Sequence, residues 1–172
     1  EALLAYLHVG VIGGVVLAVP VILWQIWSFV RPGLSAPERR YGALAVAAGT
    51  GLFAAGVAFA YGVVLPITLR VLLSVGQGTL LPMISVDRYL SFTGSILLAG
   101  GLIFELPLVM VVLAALGLVT SEGLRRRWPV AILAITILSA VLTPTTDVLT
   151  LLILMVPMLA LYGVSILIVA RV

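Results

Sequence analysis

Long apolar stretches, each bounded by charged or turn-forming residues, divide this sequence of 172 residues into five parts. About 20 apolar residues in a helix cross the hydrocarbon core of a bilayer, because each residue adds about 1.5 Å. We therefore predict an all-α fold, a polytopic membrane helix bundle that forms a single transmembrane domain over residues 1–172. The five predicted transmembrane helices are Leu3–Val30, Tyr41–Leu73, Tyr89–Gly117, Trp128–Leu142 and Val148–Ala170.

The amino-acid composition excludes a soluble globular domain. Hydrophobic residues make up 63% of the chain and charged residues 9%, whereas about 25% of the residues in soluble domains are charged. The absence of cysteine rules out disulfides and thiolate metal sites. The single histidine, His8, has no histidine or acid three or four residues further along, so we predict no metal site. We also predict no cofactor.

Two of the predicted helices do not match the thickness of a bilayer. The second overshoots it, so we expect this helix to project beyond the membrane or to bend at Pro66. The fourth has fewer than 20 residues between Arg127 and the turn at Thr143 and Pro144. Such a helix crosses only where the bilayer thins locally, so the sequence predicts a thin membrane beside it.

Most of the arginines lie on one side of the predicted bundle. The positive-inside rule then places the first loop, the third loop and the C-terminus in the cytoplasm and the N-terminus outside. One more helix before Glu1 is the simplest explanation of an outside N-terminus, and it gives six spans. We interpret the arginine clusters as topology signals and predict no nucleic-acid binding. The basic residues on the inner side are Arg31, Arg39, Arg40, Arg125, Arg126, Arg127 and Arg171.

Small residues and prolines within the spans indicate how the helices pack. Gly10 and Gly14 form a GxxxG pair, a spacing that lets two helix backbones approach closely. Prolines in several spans remove hydrogen-bond donors, so we expect a curved bundle with a concave side. A second packing face is predicted from a stripe of small residues on the second span: Ala47, Gly51, Ala55, Ala58 and Gly62.

Glu105 lies near the middle of the third predicted span with no basic residue within a turn or two. An ionised side chain at that depth costs several kcal/mol, which protonation or a polar cavity relieves. Gly94 and Gly101 are small, so this face could admit water or another helix. A structural interpretation is a neutral carboxyl bonded to the carbonyl that Pro107 frees. The functional alternatives are a proton relay, a pore lining and a docking point for a polar residue of a partner.

Four further charged positions have structural explanations. Glu38 completes a capping-box pattern that starts at Ser35, and Arg39 and Arg40 follow it as anchors at the inner surface. An exposed carboxylate at Glu38 could also pair with a cationic ligand. Asp147 stands where the last helix begins, and an acid there complements the helix dipole.

Enzyme signatures are missing from the sequence. It contains no HExxH, no GxSxG, no pair of intramembrane aspartates and no glycine-rich phosphate loop. We therefore predict that the protein is not an enzyme.

Several segments resemble the TatC family, the receptor subunit of the twin-arginine protein translocase. The most specific are the segment PVILWQIWSFVRPGLSAPE at Pro20–Glu38 and the Phe-Glu-Leu-Pro element at Phe104–Pro107. Segments similar to the family continue in the same order, so that the resemblance spans nearly the whole chain. They include Phe53–Gly56, Phe59–Tyr61, Tyr89–Phe92, Gly117–Arg127, Thr143–Pro144 and Leu161–Tyr162.

The resemblance implies six helices with both ends in the cytoplasm and a place in the inner membrane of a prokaryote or the equivalent organellar membrane. It implies that Glu38, with Arg39 and Arg40 beside it, binds twin-arginine signal peptides of folded substrate proteins. Glu105 would meet polar groups of the single-span partners TatA and TatB. Asp147 is a weaker candidate for a function at the outer side, because an extra threonine precedes it. Further copies of the chain and membrane lipids are the remaining expected partners.

The function that follows is a receptor and scaffold for export of folded proteins. The main alternative is a proton-coupled transporter of small molecules or ions, in which Glu105 binds the coupling proton. That alternative predicts paired broken helices in two related halves of the chain. An intramembrane hydrolase is a third possibility, but the sequence lacks its nucleophile or second acid.

Overall fold

Eight α-helices make up most of the computed structural model, which describes residues 2–34, 39–75, 85–142 and 148–171. A 3-10 turn, Arg31–Gly33, continues the first helix, and a π-helical segment, Ala60–Val64, joins the second helix to the third. The helices are α1 (Ala2–Val30), α2 (Gly42–Phe59), α3 (Leu65–Val75), α4 (Val86–Phe104), α5 (Leu106–Ala115), α6 (Ser121–Arg126), α7 (Trp128–Leu142) and α8 (Val148–Val169).

The prediction of five apolar helices is confirmed. Within the described residues, four helical stretches are long and apolar enough to cross a membrane, namely Gly10–Gly33, Gly42–Val71, Arg88–Ala115 and Leu151–Val169. The fourth predicted span is the shorter helix α7, whose 15 residues reach about 22 Å at the helical rise. This length fits the prediction that α7 crosses only a thinned bilayer.

The second span keeps a helical course past Pro66, where a bend was one of the two expectations and a projection beyond the membrane the other. The turn before this proline widens into the π-helical segment, and the N–H of Leu65 donates to the carbonyl of Ala60, five residues back. A proline lacks an N–H and its ring collides with the carbonyl four residues back in a regular α-helix. The wider turn accommodates that ring, so α2 and α3 form one long span.

The third span packs against two different sets of helices along its length. Its outer half, α4, lies against α1 and α2, whereas its inner half, α5, lies against α8. Helices α6 and α7 also pack on α8. A buried apolar cluster fills the α8 side of the third span; it includes Ala60, Val64, Ile103, Met158 and Tyr162. The bundle therefore divides around the third span into an α1–α2 side and an α8 side.

The prediction that the small-residue stripe on the second span mediates packing is wrong for the described chain. Side chains added at Gly51 and Gly62 would meet nothing within 4 Å, and Gly10 and Gly14 are equally open. The close contacts involve another face of α2, at Gly56, where an added Cβ would collide with the carbonyl of Gly100. Small-residue spacing indicates that close approach is possible, but it does not say which face a neighbour covers.

The inner end of the third span stops at a left-handed glycine. Gly117 has a φ of 72°, its N–H donates to Ala114 O at 2.9 Å, and the Leu118 N–H donates to Leu113 O at 3.0 Å. These two bonds form a Schellman motif, which satisfies carbonyls at the helix end and favours glycine. The chain then turns into α6, so loop three is partly helical.

Candidate functional site

The third span is interrupted at Glu105, which belongs neither to α4 nor to α5. Its N–H donates to Leu102 O at 3.2 Å, three residues back, so the α-helical pattern tightens there. Pro107 follows in the first turn of α5. A proline at this position needs no N–H partner and favours the start of a new helix. The element Phe-Glu-Leu-Pro therefore places a carboxyl at the junction of two helices.

This junction opens a groove between the two sides of the bundle. Because α4 follows α1 and α2 while α5 follows α8, the inner halves of α1 and α2 separate from α5. The gap is a cavity of about 420 Å³, within the usual range of ligand pockets. It extends toward the ends of α1 and α5 that the positive-inside rule places at the cytoplasmic side. The residues lining this groove are Val15, Val19, Ile22, Leu23, Ile26, Trp27, Val30, Ala45, Val46, Phe53, Leu98, Leu102, Glu105, Leu108, Val109, Val112 and Leu113.

Glu105 is the ionisable residue in a groove wall that is otherwise almost wholly apolar. The residue is 8% exposed. Neither carboxyl oxygen has a hydrogen-bond partner among the residues that the structure describes. The structural interpretation, a carboxyl bonded to the carbonyl that Pro107 frees, is therefore wrong. A buried carboxyl without partners costs about 1–3 kcal/mol or more, and the fold retains that cost at one point of the groove.

The space around Glu105 differs from the expectation based on its own helix. The sequence predicts room at Gly94 and Gly101, but Ile12 packs onto Gly94 and the ring of Phe53 packs onto Gly101. The room lies on the second span instead, at Gly49. A Cβ added there would lie 3.3 Å from Oε2 of Glu105. The glycine therefore allows the carboxyl to lie against the backbone of α2.

The first loop lies at the inner mouth of the groove. Leu34 is buried, and a Cβ added at Gly33 would lie 2.9 Å from Cδ2 of Leu116, at the inner end of the third span. The indole of Trp27 covers Gly42, the first residue of α2. The first of these contacts joins the first loop to the third span, and the second joins the end of α1 to the start of α2.

The two arginines predicted to belong to the signal-peptide site have partners within the described chain. Arg39 donates from Nε to Leu34 O at 3.0 Å and from Nη2 to Pro32 O at 3.2 Å. Arg40 donates from Nη2 to the hydroxyl of Tyr41 at 2.8 Å, and its guanidinium lies 4.9 Å from the centre of that ring. Arg39 thus fixes backbone on one side of segment 35–38, whereas Arg40 lies on an exposed aromatic ring.

Two predicted site residues, Glu38 and Asp147, lie outside the described residues, and so does the capping box that begins at Ser35. The structure therefore leaves their predicted roles untested. Sequence reasoning also missed Gly49. Nothing in the sequence distinguishes Gly49 from the other glycines of α2. Its role depends on which face of α2 meets Glu105, and the sequence does not show that.

Comparison with known proteins identifies the family. A family model described as TatC, Sec-independent protein translocase protein, matches residues 1–157. The Sec-independent protein translocase protein TatC of Carboxydothermus hydrogenoformans is 43% identical over 166 residues, which cover 96% of this chain and 68% of that protein. The protein of the same name from Deinococcus radiodurans is 40% identical over 153 residues, or 89% of this chain and 57% of that protein. The chain thus spans about three fifths to two thirds of the length of these relatives.

Solved structures agree with the sequence comparison. A crystal structure of the twin arginine translocase receptor TatC superposes with a TM-score of 0.81 at 36% identity, covering 97% of this chain and 73% of that one. A second crystal structure of the receptor, in DDM, gives a TM-score of 0.84 at 34% identity, covering 98% of this chain and 75% of that one. The chain therefore belongs to the TatC family of Sec-independent protein translocase proteins.

Proposed function

We propose that this protein binds twin-arginine signal peptides at the inner membrane surface and assembles with partner subunits that export folded proteins. The solved relatives are twin arginine translocase receptors, and the curated relatives are Sec-independent protein translocase proteins. The chain itself is a multi-pass protein of the prokaryotic inner membrane. Its substrates and partners are proposals, because the chain spans only about three fifths to two thirds of the length of these relatives.

The proposed signal-peptide site is the first loop, with Glu38 as the carboxylate that receives an arginine pair. A guanidinium binds a carboxylate through two parallel hydrogen bonds, which the single ammonium of lysine cannot reproduce. The loop arginines carry the same charge as the peptide, and their hydrogen-bond partners in the described chain are neutral groups, so we do not expect them to contact its arginine pair directly. The partners of Arg39 and Arg40 within the loop support a role in holding its shape.

The observation that carries the scaffold role is the buried, partnerless carboxyl of Glu105 on the wall of an apolar groove. Burying a carboxyl in such a place costs free energy, and ionisable residues inside membrane proteins usually mark a functional site. An apolar helix with one hydrogen-bond donor would fill the groove and satisfy the carboxyl. TatA-like and TatB-like single-span proteins are the proposed partners. Further copies of this chain and lipids would surround the assembly, and Asp147 stays a candidate at its outer side.

The signal-peptide site is tested with the full-length protein in membrane vesicles. A photoreactive group is placed next to Glu38, and signal peptides carrying Arg-Arg or Lys-Lys are added at equal concentration. We expect cross-linking to the Arg-Arg peptide to exceed that to the Lys-Lys peptide at least tenfold, since one bidentate charge-assisted pair contributes more than about 1.4 kcal/mol. Equal labelling of the two peptides contradicts the receptor role.

The docking role of Glu105 is tested separately, by replacing it with alanine and with glutamine. Both variants remove the carboxylate, and the glutamine keeps the volume of the side chain. We expect both to reduce co-purification of TatA-like and TatB-like partners and export in vivo, while Arg-Arg peptide binding persists. Normal co-purification and export in both variants remove Glu105 from the site.

The transporter alternative rests on the broken third span. Half-helices that meet at an ionisable group do occur in secondary transporters, where they come in pairs related by an internal repeat. Among the described spans, only the third is divided at an ionisable residue. The second span, with its π-helical segment, stays helical throughout. One broken span does not supply the pair that this mechanism needs.

A further inference from the structure

The position of the Glu105 carboxyl depends on a residue of another span. The carboxyl lies against α2 at Gly49, where an added Cβ would lie 3.3 Å from Oε2 of Glu105. The same Cβ would lie 2.7 Å from Cδ2 of Leu108 and 2.9 Å from Cδ1 of Leu23. Contacts under about 3.4 Å are tighter than carbon and oxygen atoms prefer, so a side chain at this position must displace its neighbours.

The carboxyl is the neighbour whose displacement affects the groove. Leu23, Leu108 and Glu105 all line it, and the two leucines can move a terminal methyl group within apolar surroundings. The carboxyl, pushed from the backbone of α2, has the cavity as open space to move into. It would then occupy volume that a visiting helix needs and would meet the visitor's donor at another place. With glycine at position 49, the carboxyl stays at the wall.

We propose that Gly49 is a positioning residue for the Glu105 carboxyl, which it keeps at the groove wall ready for a hydrogen-bond donor carried in by an apolar helix. The donor belongs to a neutral group such as an amide or a hydroxyl, because an apolar helix carries such a group into a membrane at a lower free-energy cost than a charged side chain. This inference rests on the docking role proposed for Glu105.

The test measures docking of the partner helix directly. A photoreactive residue replaces Val109, an exposed residue of α5 on the groove wall, in the full-length protein co-expressed with its TatA-like and TatB-like partners. Gly49→Ala is compared with Gly51→Ala, a matched change two residues along the same helix, where the new methyl group meets nothing within 4 Å. We expect Gly49→Ala to lower the cross-link yield about fivefold, the usual weight of one hydrogen bond. Gly51→Ala should leave the yield unchanged.

Two second-site variants separate positioning from simple crowding. Glu105→Asp shortens the acid by one methylene, so in the Gly49→Ala background it should restore at least half of the lost yield. Leu108→Ala in the same background relieves only the contact with the leucine and should restore little. Rescue by Leu108→Ala alone, or by neither variant, overturns the proposal, even if Gly49→Ala also lowers the amount of folded protein.

The docking role itself is checked in the same experiment with Glu105→Ala. A loss of cross-linking in Glu105→Ala without any loss in Gly49→Ala refutes the positioning role of Gly49 and leaves the docking role intact. Unchanged cross-linking in Glu105→Ala refutes the docking role, and the inference about Gly49 fails with it.

Discussion

The hydroxyl of Tyr162, on α8, donates a hydrogen bond of 3.1 Å to the backbone carbonyl of Leu124, on α6. Both residues are buried, and the ring of Trp128 packs on Tyr162 with 5.2 Å between ring centres. The third loop is thereby attached to the last span. A buried carbonyl must be paired to avoid a desolvation penalty, so this contact helps to keep α6 on the bundle.

Replacing Tyr162 with phenylalanine should destabilise the protein by about 1 kcal/mol, because the Leu124 carbonyl loses its partner while the ring stays in place. The measurement is the thermal unfolding midpoint of the purified protein in detergent. Tyr61→Phe is the control, since Tyr61 is 65% exposed. A midpoint for Tyr162→Phe equal to that of the control would show that the hydrogen bond contributes nothing measurable.

Replacing Arg39 with lysine should loosen the first loop although the charge is kept. Lysine has a single ammonium and cannot reproduce donation from Nε and Nη2 to two carbonyls. We expect hydrogen exchange of the Leu34 amide, which bonds to Arg31 O at 3.2 Å, to accelerate about fivefold, as for the loss of about 1 kcal/mol of local stability. Arg40→Lys, which leaves the carbonyl contacts intact, should not change it. Equal acceleration in both variants would indicate a general charge effect.

Replacing Gly56 with alanine should destabilise the bundle by about 1–3 kcal/mol, the range for overpacked cores. The new Cβ would collide with the Gly100 carbonyl and lie 2.9 Å from Cβ of Phe104. Gly51→Ala, on the open face of the same helix, should be neutral or slightly stabilising because alanine favours helix. Thermal unfolding of the two variants side by side decides which face of α2 carries the packing. If Gly51→Ala destabilised the protein more than Gly56→Ala, the stripe that contains Gly51 would be the packing face after all.

The sequence predicts the helices well because span length is a local property. The bounds of α1, α7 and α8 agree with the predicted spans to within one residue, since charged or turn-forming residues flank each apolar stretch. Helix α6 shows that short elements are harder. Its capping residue Thr120 accepts from the Gly123 N–H at 3.1 Å, and Arg125 and Arg126 follow in its last turn. The capping residue and the basic last turn are visible in the sequence. A prediction based on long apolar stretches nevertheless assigns this short segment to a loop.

The sequence predicts one part of the candidate site, Glu105, but not the groove or Gly49. Glu105 is found from sequence because a charge within an apolar stretch is conspicuous. The groove and Gly49 are not, because they depend on the divergence of α1 and α2 from α5 across the break in the third span. That divergence is set by long-range packing of α5 on α8. A single sequence shows that glycines are present in α2, but it does not show which of them faces the carboxyl.

Replacing Glu105 with methionine should stabilise the protein while it abolishes docking of the partner helix. Methionine has a similar volume and no polar atoms that need a partner, so the substitution removes a penalty of about 1–3 kcal/mol from the folded state. Sites that trade stability for function behave in this way. Leu108→Met, a volume-conserving change in the same groove, should shift the thermal midpoint little and serves as the control. A lower midpoint for Glu105→Met than for Leu108→Met would mean that the carboxyl stabilises the folded protein. That result would contradict the proposal that Glu105 lacks a partner until a hydrogen-bond donor enters the groove.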